Sequence, residues 1–374
     1  MTNEEIRRFD QVSGEDAHSF KWSHDGRFIA KTSIKKINVP EGEEVKEPEE
    51  EPTPNQVSVY ELPSCKLCAD NDGNRTSIPV DGVKDFLWFP NKNWIVYTSF
   101  PKSENVQPRV TFLEFPSRRQ MHNHTIKDCS DMKMYMHPQG NYIAIMNEYL
   151  DKKTTKYSVE LFDLQDYKGS LPHKQILVQK EEVTFLGVIF EPHHQKIAIH
   201  TKSKKVLEAG QKQFSNDPYR TTVDVYQLKH DNLLGFVVKE AGQVPCEKVS
   251  EFKFSAAGNI FCTVENEAAT RNILTFYLIN KVSNEGQTTT VHTSSKKKTD
   301  PVNSKQLLSA VDDSYQFIKT ARHEVKEKNW FSKWDENGRF FCIYGRKILT
   351  DKYPRSVKFY NMFGELIEQY PEIY

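Results

Sequence analysis

Read for alternation of apolar and polar positions, the chain repeats one two-part unit six times. The first part is a pair of large apolar residues two apart, a short polar turn, and a second apolar run. Phe20 and Trp22 lead through Gly26 to Phe28-Ile29-Ala30, and Phe86 and Trp88 lead through Lys92 to Trp94-Ile95-Val96. Met134 and Met136 lead through Gly140 to Tyr142-Ile143-Ala144, and Val188 and Phe190 lead through His194 to Ile197-Ala198. Phe252 and Phe254 precede Gly258 and Ile260-Phe261-Cys262, while Ser332 and Trp334 precede Gly338 and Phe340-Phe341-Cys342. Residues two apart share one face of a strand, so each copy predicts a hairpin. Glycine holds the end of the turn in four of six copies, where a positive φ costs it nothing.

The second part follows every hairpin. It covers 57–62, 110–115, 159–164, 223–228, 274–279 and 357–362, rich in Val, Phe and Leu. A large residue sits at one fixed place in it: Tyr60, Leu113, Phe162, Tyr226, Tyr277 and Tyr360. These are predicted strands.

The turn positions 26, 92, 140, 194, 258 and 338 lie 48 to 80 residues apart. A four-stranded propeller blade needs about 40–45 residues, and the excess falls where loops belong. The fold class predicted is therefore all-β, a β-propeller of WD40-like four-stranded blades with about six blades readable. A β-sandwich or an open array of hairpins is the competing architecture. Helical periodicity is weak and confined to 305–328. The domain reading is one propeller region over 1–374, with an acidic insertion at 40–56 and a polar, basic one at 283–328.

Composition modifies this picture in three ways. Hydrophobic residues make up 37% and aromatics 12%, which fits a genuine core diluted by polar loops. Residues 40–56 carry seven glutamates and four prolines, a composition that cannot bury enough apolar area to order itself. Lys+Arg and Asp+Glu are both 51, so nucleic acid has no global field to follow and must be met by local patches. Candidate patches are Arg118 and Arg119; Lys152, Lys153 and Lys156; Lys202, Lys204 and Lys205; Lys296, Lys297 and Lys298; and Arg346 with Lys347.

Catalytic chemistry is hard to find. No nucleophile elbow, phosphate-binding loop, zincin helix or dinucleotide glycine motif can be read. Cys65 and Cys68 form one C-x-x-C pair, and a structural zinc site needs a second pair. His193 and His194 fall in a predicted turn, and His122 and His124 in a linker between blades. No catalytic residue, cofactor or metal ligand is assigned. No stretch approaches the roughly 18 uninterrupted apolar residues of a membrane span. The charged start and the isolated cysteines predict a reducing, cytoplasmic setting, in which the sequons at Asn74 and Asn123 are chance matches.

Several stretches carry a family resemblance. Residues 109–120 (RVTFLEFPSRRQ), running on to 131–144 (DMKMYMHPQGNYIA), resemble the family of the b-type subunit of eukaryotic translation initiation factor 3. So do Phe20-Lys21-Trp22 with Gly26, Gly82 through Trp88, Trp334 through Gly338, and Tyr360 through Gly364. The resemblance runs over about 18–367, is most specific in 109–144 and is loose in 200–330. It implies a non-enzymatic scaffold of the initiation factor. Its expected partners are the small ribosomal subunit, through rRNA and ribosomal proteins, and other components of the factor, notably those called a, g and i. It also implies a nine-bladed ring, an RNA-recognition motif and a helical tail; the latter two are not readable here. With six blades readable, the expectation is a C-terminal part of a larger polypeptide, or a partner over the ring's opening. A propeller adaptor that binds peptide motifs without ribosome contact is the alternative.

Overall fold

The computed structural model describes residues 20–33, 56–70, 72–101, 106–151, 154–165, 173–181, 183–193, 195–204, 219–231, 235–245, 248–268, 271–282, 314–325, 330–345 and 356–371. The acidic stretch up to residue 55 lies outside them, as do Lys152, Lys153, Lys205, Lys296, Lys297, Lys298, Arg346 and Lys347. Every element among the described residues is a strand. The strands form six antiparallel sheets, the blades expected from the repeats, each running in chain order from an inner first strand to an outer last one.

Blade 1 holds β1 (Lys21–Trp22), β2 (Phe28–Ser33), β3 (Gln56–Glu61), β4 (Lys66–Leu67) and β5 (Ile78–Pro79), with β4 and β5 both on β3. Blade 2 holds β6 (Val83–Trp88), β7 (Trp94–Ser99), β8 (Arg109–Glu114) and β9 (Gln120–Thr125). Blade 3 holds β10 (Cys129–Met136), β11 (Tyr142–Asp151), β12 (Thr154–Asp163) and β13 (His173–Glu181). Blade 4 holds β14 (Val183–Phe190), β15 (Lys196–Lys204), β16 (Tyr219–Asp231) and β17 (Gly235–Gln243). Blade 5 holds β18 (Val249–Phe254), β19 (Ile260–Ala268), β20 (Arg271–Val282) and β21 (Ser314–Val325). Blade 6 holds β22 (Trp330–Trp334), β23 (Phe340–Gly345), β24 (Ser356–Asn361) and β25 (Leu366–Pro371). The chain divides into two compact units, Met1–Glu182 with blades 1–3 and Val183–Tyr374 with blades 4–6.

Within each unit consecutive blades stack face to face, which is why their central strands read as apolar runs rather than alternating ones. All six residues of β7, Trp94 to Ser99, are buried. Phe28, Ala30, Val57 and Val59 of blade 1 pack on Ile95, Tyr97 and Leu113 of blade 2. Ile260, Cys262, Leu274 and Phe276 of blade 5 pack on Phe341, Ile343 and Tyr360 of blade 6. The fixed large residue therefore points back into the preceding blade. Tyr360 lies 5.6 Å from Phe276, and Leu113 and Phe162 take the same role in blades 2 and 3.

A bulge recurs where third and fourth strands pair. It falls at Phe112/Leu113, Val225/Tyr226, Phe276/Tyr277 and Phe359/Tyr360, the same position of the repeat in four blades. Blade 3 places it earlier, at Val159/Glu160. The added residue increases the local twist that lets broad sheets pack radially.

Residues 314–325, inside the stretch read as a polar insertion with weak helical periodicity, form β21, paired along its whole length with β20. The apolar residues Tyr315 and Phe317 pack toward blade 4, so the strand is a blade element and only 283–313 separates it from β20. Its charged, mostly exposed sequence obscures the alternation.

The inner ends of the blades are tied by polar contacts. The Lys21 ammonium donates to Asp85 at 2.8 Å and to the Phe86 carbonyl at 2.5 Å, and the Trp88 indole donates back to the Lys21 carbonyl at 2.9 Å. Lys253 repeats this in the second unit, donating to the carbonyl of Ser332 and, at 2.8 Å, to its hydroxyl.

Candidate functional site

The turn between the first and second strands is built the same way in most blades. A side chain just after the inner strand accepts an N–H inside the turn. Ser23 takes that of Phe28 at 3.0 Å, Ser255 that of Ala257 at 3.0 Å and Asp335 that of Phe340 at 2.7 Å. Burial alone would raise the Asp335 carboxyl, but N–H groups of Phe340, Asn337 and Arg339 outweigh it and hold it below its ordinary range.

In the second unit three such turns surround a cavity of about 460 Å³. Ile189 and Phe190 line it from blade 4, Phe254 and Lys253 from blade 5, and Trp334 and Ser332 from blade 6. His193, Lys333 and Glu336 stand at its exposed rim. The walls are mainly apolar, and the cations and anions are mixed. Lys253 is paired with Glu251 and bonded to Ser332, so its charge is matched within the wall. The arrangement suits an apolar side chain; in its wall the Ser332 hydroxyl accepts from Lys253 at 2.8 Å and donates to Glu251 at 3.1 Å.

Elsewhere the reactive residue types are built into packing. Burial pushes the Cys68 thiol up to about 11, with Glu61 adding to it, so it is a thiol at neutral pH. His122 and His124 were expected in a linker, but both lie on β9, facing blade 3. There His124 Nε2 sits 2.8 Å from Glu160 of β12, and its ring meets Phe162 edge-on. Burial, then the neighbouring His124, lowers the His122 pKa. Among the described residues no group of three or more His, Cys, Asp or Glu could hold a metal ion.

The basic candidates divide by what they touch. Arg118 has φ +52° and turns its guanidinium back into blade 1. It donates to the Cys68 carbonyl at 2.5 Å, the Thr76 carbonyl at 2.6 Å and the Thr76 hydroxyl at 3.3 Å. Its fork is occupied by acceptors of the 68–76 loop, which no sequence pattern signalled. Arg119 is exposed and pairs with Glu114 at 3.1 Å. Lys202 lies over the Tyr219 ring at 4.5 Å, and Lys156 is half-buried near the start of β12. Lys204 ends β15. In the first unit Arg118 and Arg119 occupy the β8–β9 turn while Lys156 follows the β11–β12 turn, so the two groups lie at opposite ends of their blades. They do not form one patch.

Comparison with known proteins follows the repeats. No protein-family model matches the chain. It is 25% identical over 203 residues to the B-type subunit of eukaryotic translation initiation factor 3 of Xenopus laevis, covering 53% of this chain and 25% of that protein. The corresponding protein of Aedes aegypti is 26% identical over 244 residues, 61% of this chain and 28% of that protein. The chain is similar in sequence to the B-type subunit of eukaryotic translation initiation factor 3 over 53–61% of its length. It spans about a quarter of the length of the relatives it matches. A solved crystal structure of the eukaryotic initiation factor superposes on 99% of this chain and 69% of its own, with a TM-score of 0.56 at 10% identity, a likeness of fold. Among the described residues no helix is long and apolar enough to cross a membrane.

Proposed function

We propose that the chain is a non-catalytic scaffold of the translation initiation factor 3 complex. In this reading it docks on the small ribosomal subunit and holds other components of the factor, notably those called a, g and i, in the cytoplasm. The observation that carries it is the match to the B-type subunit over 203 to 244 residues in two animals. The absence of a readable catalytic motif and the apolar, charge-matched cavity agree with a binding role. Contacts to rRNA phosphate are assigned to Arg119 and Lys202, and to Lys152, Lys153, Lys156, Lys204, Lys205, Lys296, Lys297, Lys298, Arg346 and Lys347. Arg118, spent on carbonyls, serves the fold.

Co-sedimentation with purified small ribosomal subunits tests this. The chain is expected in the pellet at moderate salt, with log K falling linearly against log salt as counterions are released. Failure to pellet, both alone and together with the purified factor, overturns it. The cavity favours a second reading, a peptide-binding adaptor, whose partners would survive RNase and salt unchanged.

A further inference from the structure

Blades 4 and 5, both within the second unit, meet along a seam that runs from core to surface. Side chains alternate along a strand, so 198, 200 and 202 of β15 share one face with 225, 223, 221 and 219 of β16. Register pairs Ala198 with Val225, His200 with Val223 and Lys202 with Thr221. The deep end is apolar: Ala198, Val223 and Val225 pack on Val249 and Phe252 of blade 5. His200, next along, is still buried. One step further the Thr221 hydroxyl accepts the Val249 N–H at 2.6 Å and closes the floor of the seam.

Beyond that bond the seam opens onto an aromatic ring and two cations. Tyr219, the first residue of β16, is 37% exposed, the one exposed Phe, Tyr or Trp among the described residues of these two blades. The Lys202 ammonium stands 4.5 Å from its ring centroid, which holds the ring from one face and leaves the other. Lys248, one residue before the bonded Val249, is half-buried on the blade 5 side. Glu265, which register sets opposite Val249, accepts from Thr275 at 3.5 Å. Two ammoniums thus stand at this end against one carboxylate.

We infer, on the ribosome-docking reading, that this end of the seam is a subsite for one unpaired nucleotide of RNA. The base stacks on Tyr219 opposite Lys202, and Lys202 and Lys248 take the flanking phosphates. A ring beside cations suits a single strand, because every base has a π-face to stack and every phosphate a charge to pair. A duplex keeps its bases stacked on one another and offers the ring nothing.

Fluorescence anisotropy of a labelled oligouridylate of about ten nucleotides, titrated with the full chain across about 50 to 300 mM salt, tests it. The wild type should bind, Tyr219→Ala should weaken binding about tenfold, and Tyr219→Phe should bind as the wild type does. Lys202→Ala should lower the slope of log K against log salt by about 0.7, the single-strand value for one phosphate. A blunt RNA duplex of the same length should not distinguish Tyr219→Ala from the wild type. Thermal melts of the variants should match the wild type, since the ring lies at an exposed strand end. A wild type that does not bind, a Tyr219→Ala variant that binds equally well, or a duplex weakened as much as the single strand overturns the subsite. If the wild type still pellets with small ribosomal subunits, the docking reading survives that loss. Oligouridylate binding that needs Tyr219, in a chain that does not pellet, removes the docking reading and keeps the subsite.

Discussion

The Ser255 hydroxyl donates to the Gly338 carbonyl at 2.6 Å, fastening the turn of blade 5 to the turn of blade 6. A Cβ at Gly338 would lie 2.2 Å from the Ser255 oxygen and 2.2 Å from the Ala257 nitrogen. Gly26 has the same φ, +69°, but open space around it. Gly338→Ala should therefore cost about 3 kcal/mol or more, and Gly26→Ala about 1–2 kcal/mol from the backbone alone. Urea midpoints of the two variants measure the difference, and equal losses would contradict the turn-to-turn packing.

Arg118 and Arg119 are neighbours with opposite duties. Arg118→Ala removes three hydrogen bonds to the 68–76 loop and strands the partly buried Cys68 carbonyl, a loss of about 1–3 kcal/mol. Arg119→Ala breaks an exposed pair and should change stability by less than about 0.5 kcal/mol. In ribosome co-sedimentation the order reverses: Arg119→Ala lowers the salt slope and Arg118→Ala leaves it unchanged.

Glu191 gives the second unit a pH dependence. It is fully buried, with Lys196 Nζ 3.2 Å away, and that ammonium also reaches Asn259 of blade 5 at 2.9 Å. Burial outweighs Lys196 and raises the carboxyl from its ordinary 4.5 to about 7. The folded chain thus keeps a proton that the unfolded chain releases. The resulting stability is complete below about pH 4.5 and is lost as pH rises toward 7, by at most about 3 kcal/mol. Urea unfolding across that range should show this decline against the general acid response of other carboxylates, and Glu191→Gln should remove it. An unchanged slope in the variant would reassign the proton.

Lys296, Lys297 and Lys298 form the densest basic run in the chain. Replacing all three by Ala should leave the melting temperature unaltered and lower the co-sedimentation salt slope by about 2 to 3, if each touches one phosphate. No change in slope would remove this run from the ribosome contacts.

Blade identity was legible because it rests on local chemistry. The Phe86/Trp88 and Phe252/Phe254 pairs, the turn glycines and the fixed Tyr277 and Tyr360 announce strands, turns and a repeat without reference to any neighbour. The charge balance likewise excluded a global nucleic-acid field. What a side chain touches between blades was not legible, because those partners are 41 to 83 residues apart in the cases of His323 with Gly364, Arg118 with Cys68 and Ser255 with Gly338. The sequence alone leaves Arg118 a surface cation and His124 a linker residue; stacking makes one a loop staple and the other a half-buried partner of Glu160. The composition of the blades follows from pattern, whereas the fate of each polar group follows from which blade face it meets.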